Sequence, residues 1–444
     1  SAVAQLVADL GLEKYRSAQI LDAIWRSDAT TWSEVTTLSR RAQEALAGVA
    51  RFYYAKQLER EDVEDGATSK LLITLSGGAK VEAVLMRYPP DPRRGRGERA
   101  TICVSSQAGC AVGCPFCATG ELGFTRNLTA GEIQDQVRRA RQILRGEGRE
   151  LTNVVFMGMG DPLQNLDPVL ASIDGLTDPL RGGIGQRRIV VSTSGVVPGI
   201  ARLAKLRPQV TLAVSLHAAR NALRDLLVPL NRKWPVEEVI AAAAAHARAT
   251  GRRTTFEVTM IDGINDSPED AAALAQLLRG SSAHVNLIPM NSVAHTPWQE
   301  SPAARIEEIA EQLRASGLSV TVRRNRGREA GGGGDVDVGG RRGRRVTGGI
   351  ARDGDDFVSA QGNADERGAQ PPRITSLITD GLADGVAIEE EFDADHGAVG
   401  IGRRGNKIDR GSRGGGTLHR ETNRGRETDE VVHNDPPGLR TGRL

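Results

Sequence analysis

Between about residue 100 and residue 325, short apolar runs alternate with longer amphipathic ones. The runs ATICVSS, TNVVFMG, RIVVSTS, VTLAVSL, TTFEVTMI and HVNLIPM are rich in β-branched residues, which predicts buried parallel strands. Helical patterns fall between them. Thr129 and Glu132 form a capping box ahead of IQDQVRRARQIL. Asp167 before Pro168, and Ser267 before Pro268, read as N-caps followed by a first-turn proline. Strand–helix repeats of this kind predict an α/β fold, a parallel sheet with crossover helices that closes into an open partial barrel. Functional groups in such sheets gather at the carboxyl ends of the strands.

The flanks have other patterns. Residues 1–58 predict a small helical accessory domain, with YRSAQILDAIW as its clearest amphipathic run. Residues 59–98 form a linking segment in which KLLITLSGGAKVEAVLMRY reads as a β-hairpin turning at Gly77-Gly78. The barrel occupies 99–329. Residues 330–444 are rich in Gly, Arg and Asp and keep no apolar period. Such a composition buries too little apolar surface to offset its ordering entropy, so disorder is expected there.

Net charge is only +2, so a nucleic-acid partner is not announced by charge overall. Local clusters say more. RYPPDPRRGRGER (Arg87–Arg99) and RRARQILRGEGR (Arg138–Arg149) could contact phosphates, or could be a solvated loop and helix face. GRRGRR and RGSRGGG invite the same reading for the tail. No apolar run nears the roughly 20 residues a bilayer crossing needs. The first residues, SAVAQLVADLGLEKYR, lack a signal-peptide pattern. A soluble, cytoplasmic protein without membrane contact is expected.

All four cysteines fall within CVSSQAGCAVGCPFC, from Cys103 to Cys117. Disulfide-stapled domains are small and spread their cysteines, so clustering here points to metal, a cluster or redox chemistry. Cys110, Cys114 and Cys117 form C-x3-C-x2-C. Structural zinc usually takes four ligands, and iron–sulfur clusters are held by thiolates. Three thiolates on one loop suit a [4Fe–4S] cluster with one iron left open, with zinc or inert buried thiols as alternatives. C-x3-C-x2-C resembles the signature of the radical S-adenosylmethionine (SAM) enzymes, in which the open iron binds SAM and its reductive cleavage gives a 5′-deoxyadenosyl radical.

The resemblance extends further. CVSSQAGCAVGCPFCATGELGF, VVFMGMGDPLQN, VVSTSGVVPGI, AVSLHAARNALRDLLVPLN, VTMIDGINDS, NLIPMN and TVRRNRGRE follow one another as blocks do in the RlmN/Cfr group of adenine RNA methyltransferases. The match covers about residues 10–329, and SSQAGC and STSGVVPGI lean to the RlmN side. The resemblance implies a radical SAM partial (β/α)6 barrel, a [4Fe–4S] cluster on Cys110, Cys114 and Cys117, and SAM as cofactor. It implies 2-methyladenosine formation in 23S rRNA and tRNA, an electron donor such as flavodoxin, and a monomer. SAM contacts would come from Gly160 and Asp161, Ser192, Ser215, Leu216, His217 and Asn291. Asp161 stands where the family has Glu, one methylene longer; a carboxylate still accepts from the SAM ammonium, so retained binding with altered reach is expected. Cys103 would take the proton from the adenine carbon. Glu82 matches a proton acceptor, although its strand position would equally suit an exposed side chain.

One element of the family pattern is missing. The resemblance implies a further cysteine, in an AACGQL-like segment, that carries the methyl group before it reaches the adenine. Its place falls at about Gly334, and no cysteine follows Cys117. The change of composition there is what an altered 3′ end, such as a frameshift, would give. Three functions therefore compete: an RlmN-like methyltransferase (or its Cfr-like, C8-directed relative), a SAM- and RNA-binding pseudoenzyme, and a structural metal-binding module.

Overall fold

The computed structural model of the chain describes residues 2–95, 97–323 and 387–388. Three helices open it: α1 (Ala2–Asp9), α2 (Arg16–Arg26) and α3 (Arg40–Ala47). Helix α2 buries Ile20, Ala23, Ile24 and Trp25, the stripe its periodicity predicts. Strand β1 (Ala50–Arg51) pairs with Ala387–Ile388. The rest of the 330–444 region, with Gly334, lies outside the described residues, and so does the TVRRNRGRE block from Arg324 onward.

Strands β2 (Ala55–Val63), β3 (Thr68–Leu75) and β4 (Lys80–Tyr88) are antiparallel. The turn at Gly77 and Gly78 forms as expected, both with φ above +80°, a region open to glycine. These strands are not a separate linker. β4 pairs antiparallel with β5 (Arg99–Cys103) and so joins the main sheet. A small pair, β6 (Gln107–Gly109) and β7 (Phe124–Asn127), brackets the cysteine loop, which also holds the short α4 (Ala118–Glu121).

The main sheet continues in parallel through β8 (Asn153–Phe156), β9 (Ile189–Thr193), β10 (Thr211–Ser215), β11 (Thr255–Met260), β12 (His284–Pro289) and β13 (Ser319–Val322). Between them run α5 (Ala130–Gly146), α6 (Leu166–Thr177), α7 (Val197–Leu206), α8 (Asn221–Leu227), α9 (Val236–Thr250), α10 (Pro268–Leu277) and α11 (Ala303–Ala315). The capping box at Thr129 and Glu132 is present, and Ser267 caps α10. Helix α6 starts two residues earlier than the Asp167-Pro168 signal suggests, with Asn165 at its cap. The strand pattern accounts for every parallel strand except β13, whose Ser-Val-Thr-Val alternation is the mark of a strand with only one buried face.

That alternation runs across the whole sheet. In-register neighbours share a face. On one face lie Ile102, Val154, Phe156, Ile189, Val191, Leu212, Val214, Phe256, Val258, Val285 and Leu287, all buried in one core with the crossover helices. On the other lie Cys103, Val155, Ser192, Ala213, Ser215, Glu257, Asn286 and Thr321. The helices cover the apolar face, so the mixed, polar-rich face lines the inside of the barrel. The strands had been expected to be apolar throughout; only the helix-covered side is largely so, with Thr193 at the end of β9 as a polar position on it.

The helical region is tied to the barrel through Arg138 of α5. Its side chain is 1% exposed beside Asp135 at 3.4 Å. Nε donates to Ile24 O at 3.1 Å and Nη2 to Phe52 O at 2.7 Å. Burial pushes the Asp135 carboxyl up and the Arg138 guanidinium down. Arg138 is therefore a structural cation and not an RNA contact. Arg138→Ala would strand a buried carboxylate and two carbonyls, so we expect a loss of about 3–5 kcal/mol, read as a lower urea midpoint for unfolding.

Candidate active site

The cysteine loop leaves the carboxyl end of β5. Its neck is set by β6 against β7, with Cys110 N–H donating to Gly123 O at 2.8 Å. Gly109 is needed there, because a Cβ would sit 1.9 Å from Gly123 O. Within the loop, Cys117 N–H donates to Cys114 O at 3.1 Å. Gly120 packs so closely that a Cβ would lie 2.5 Å from Cys114 O. Cys110, Cys114 and Cys117 are half-buried and pack against Val112, Phe116, Ala218, Val228 and Met290. The loops after β10 and β12 thus supply an apolar bed for the cysteine loop. The His295 ring nitrogens reach Pro115 O at 2.8 Å and Glu121 Oε2 at 2.7 Å. Among the described residues no three His, Cys, Asp or Glu side chains already form a metal cage. The donor set is nonetheless all soft thiol in apolar surroundings, which fits an iron–sulfur cluster.

Cys103 ends β5 on the inner face, 7% exposed. Glu82 lies on the same face of β4, one pleat beyond Val84, the register partner of Cys103. It is buried, and its carboxylate meets Lys70 Nζ at 3.0 Å. The exposed position that its strand also allowed is excluded. Ser105, just after β5, donates its hydroxyl to Glu82 O at 2.6 Å and so links the two.

The turn after β8 holds Gly160 at φ +88°, where a Cβ would run into Gln107 at 2.4 Å. Gln107 Oε1 accepts from Asp161 N–H at 3.0 Å. Asp161 is 4% exposed. Its Oδ1 accepts from Leu163 N–H and the Thr193 hydroxyl, and its Oδ2 from the Ser194 N–H and hydroxyl. Burial raises this carboxyl above the usual range, against the pull of the Ser194 hydrogen bonds. A carboxylate has about four lone-pair positions, so Asp161 is filled by its own chain. Asp161 thereby braces the β8 and β9 termini against each other.

Ser192 and Ser215 face each other across β9 and β10, hydroxyls 3.4 Å apart. Leu216 and His217 N–H groups donate to Glu257 O at 3.0 and 3.2 Å. His217 has φ +60°, a strained value for a side chain of its size. Its Nδ1 accepts from Thr259 N–H at 3.1 Å, and Phe116 stacks against it at 4.7 Å. Burial, with Arg224 nearby, pushes its pKa down to about 3, so the ring is neutral with its proton on Nε2. Arg224 is wholly buried and ties these ends together, donating to Leu216 O at 3.0 Å, Ser194 O at 2.6 Å and Asn231 Oδ1 at 2.8 Å. Asn291 follows β12 in the adjoining loop.

The candidate residues from the sequence therefore lie along one set of strand ends and one inner face. Sequence reasoning missed Arg224, Glu257 and Asn286. The last two were legible as polar residues at alternate positions of otherwise apolar strands. Most arginines of the two basic segments have internal partners. Arg87 donates to Glu147 at 2.6 and 2.7 Å, and Arg99 covers Tyr88 at 4.1 Å. Arg139 covers Tyr53 and Arg145 meets Asp28. Arg93 is exposed.

The sequence model of the Radical SAM superfamily matches residues 104–275. A Parafrankia protein named "Probable dual-specificity RNA methyltransferase RlmN" is 52% identical over 281 residues, 60% of this chain and 71% of that protein. A Desulfitobacterium hafniense protein of the same name is 43% identical over 333 residues, 74% of this chain and 91% of its own length. Among solved structures, a radical SAM methyltransferase from Sphaerobacter thermophilus matches with a TM-score of 0.72 at 44% identity, covering 76% of this chain and 96% of that one.

Proposed function

This chain belongs to the RlmN family of radical SAM RNA methyltransferases, and we propose that it binds a [4Fe–4S] cluster, SAM and RNA in its barrel, with methylation of adenine C2 in 23S rRNA and tRNA as its ancestral reaction. The observation that carries this reading is the shared inner face and strand ends, which gather Cys103, Ser192 and Ser215 beside the cysteine loop and the Gly160 turn. Cluster and SAM together supply one-electron chemistry, which an adenine carbon requires because it is too weak a nucleophile for ordinary methyl transfer.

The rest falls to the protein. Cys110, Cys114 and Cys117 would hold the cluster over the apolar bed, which keeps water from it. Ser192, Ser215, the Leu216–His217 backbone and Asn291 would orient SAM, with Gly160 permitting close approach. Asp161 would shape this pocket through Ser194 instead of meeting the SAM ammonium directly. Cys103 Sγ, at the end of β5, is the group proposed to take a proton from the adenine carbon, a role that needs a positioned thiolate. The Lys70–Glu82 pair lies on the same face as a further proton acceptor.

A carrier thiol beyond Cys117 is absent from the sequence, so this chain is proposed to bind its ligands without completing methyl transfer. Binding is the direct test. The anaerobically reconstituted protein should take up SAM in calorimetry. It should also bind a 23S rRNA fragment with an affinity that falls as salt rises, and charge reversal of Arg93, Arg94 and Arg96 together should weaken that binding. Failure to take up SAM would overturn the cofactor assignment.

A further inference from the structure

Glu257 sits in the middle of β11 on the inner face, 4% exposed. Its register partners are Ser215 on β10 and Asn286 on β12. Oε1 accepts from Asn286 Nδ2 at 2.9 Å. Among the described residues Oε2 receives no hydrogen bond, although it is buried. Among the described residues its ion-pair partner is Arg323, which stands 3.7 Å away and is 42% exposed, beyond hydrogen-bonding range. A buried carboxylate oxygen without a donor is costly, so the site is one that a donating ligand completes.

The neighbours restrict what that ligand is. Along the row, Ser192 and Ser215 present hydroxyls 3.4 Å apart, and Glu257 is the next polar position after Ser215. A carboxylate here repels phosphate, which excludes the RNA backbone. Hydroxyl groups both donate to a carboxylate and exchange hydrogen bonds with serines. A ligand edge carrying hydroxyls is one that Glu257 and the two serines can bind together. The backbone reinforces the link, because Glu257 O anchors the Leu216 and His217 N–H groups at the end of β10.

We infer that Glu257 accepts hydrogen bonds from the ribose 2′- and 3′-hydroxyls of SAM, making it a binding and specificity residue for the cofactor. This rests on the SAM-binding reading above. Glu257→Gln keeps the shape and can keep the Asn286 contact, while it removes the charge.

The experiment compares SAM with its 2′-deoxy and 3′-deoxy counterparts by anaerobic calorimetry, on reconstituted full-length protein and on the Gln variant. Melting temperature and cluster absorbance verify that the variant is intact. The wild-type protein should prefer SAM over at least one deoxy analogue by roughly 10- to 100-fold, the value of a hydrogen bond to a charged acceptor. Glu257→Gln should lose SAM affinity by a similar factor, and the two losses should not add, since both remove one contact. Additive losses, or discrimination fully retained in the variant, would overturn the assignment. So would a variant selective against N6-methylated SAM alone, which would place the base and not the ribose at Glu257. If the wild-type protein binds no SAM, the cofactor reading fails first and the Glu257 assignment with it; if it binds SAM and only the variant series fails, the cofactor reading stands.

Discussion

Cys114→Ala is expected to take iron from about four atoms per chain, the content of a [4Fe–4S] cluster, to near zero after anaerobic reconstitution, while the fold survives. The Cys114 carbonyl accepts from Cys117 N–H and packs against Gly120. Alanine preserves both contacts. The lost thiol, by contrast, leaves two ligands where a cluster needs at least three, and metal affinity falls steeply with ligand count. Iron and sulfide analysis, with the broad charge-transfer absorption, reads the result. A chain that instead takes up one zinc and no iron would show that the thiols serve a structural metal and would remove the basis for SAM chemistry.

The second large effect concerns methyl transfer. RNA incubated with this chain, SAM and a reductant should yield no 2-methyladenosine by mass spectrometry. The proposed reaction needs one thiol to carry the methyl group and another to act as base. Apart from the cluster loop, the chain offers Cys103 alone, and Cys103 is fixed at the end of β5, buried and in register with Val84 and Val155. It cannot fill both places at once. Replacing the residues after Glu329 by an ACGQL-like segment should restore the product. Product from the unaltered chain would mean that no carrier is needed. Failure of the restored chain would shift attention to Asp161, whose carboxylate is engaged by Thr193 and Ser194.

The strands and the cysteine loop were legible in the sequence because both depend on local pattern. Runs such as TTFEVTMI and HVNLIPM carry their strand signal whatever surrounds them, and C-x3-C-x2-C needs only one loop. Partnership was not legible. Arg138 sits in an arginine-rich helix and looks like a surface contact until α2 and the segment after β1 close over it. Asp161 reads as a shortened ligand, and only the position of β9 shows its oxygens already engaged. Arg224 lies in a helical run like any other, yet its donors reach carbonyls from two different strand ends. Glu257 was hidden by a reading of its strand as wholly apolar, when its alternation was the evidence of a wet inner face.

The division of the sheet into a helix-covered side and a cavity side bears on how the molecule assembles. Side chains alternate with period two, so a one-residue slip of β10 would turn Leu212 and Val214 into the cavity and drive Ser215 under the helices. The same slip in β11 would bury Glu257 among hydrocarbons. A closed barrel with a wrongly lined pocket is therefore strongly disfavoured. Completing the hydrophobic core and setting out the ligand-binding row are one event, and a chain that has reached its folded volume has its chemistry in place by the same step.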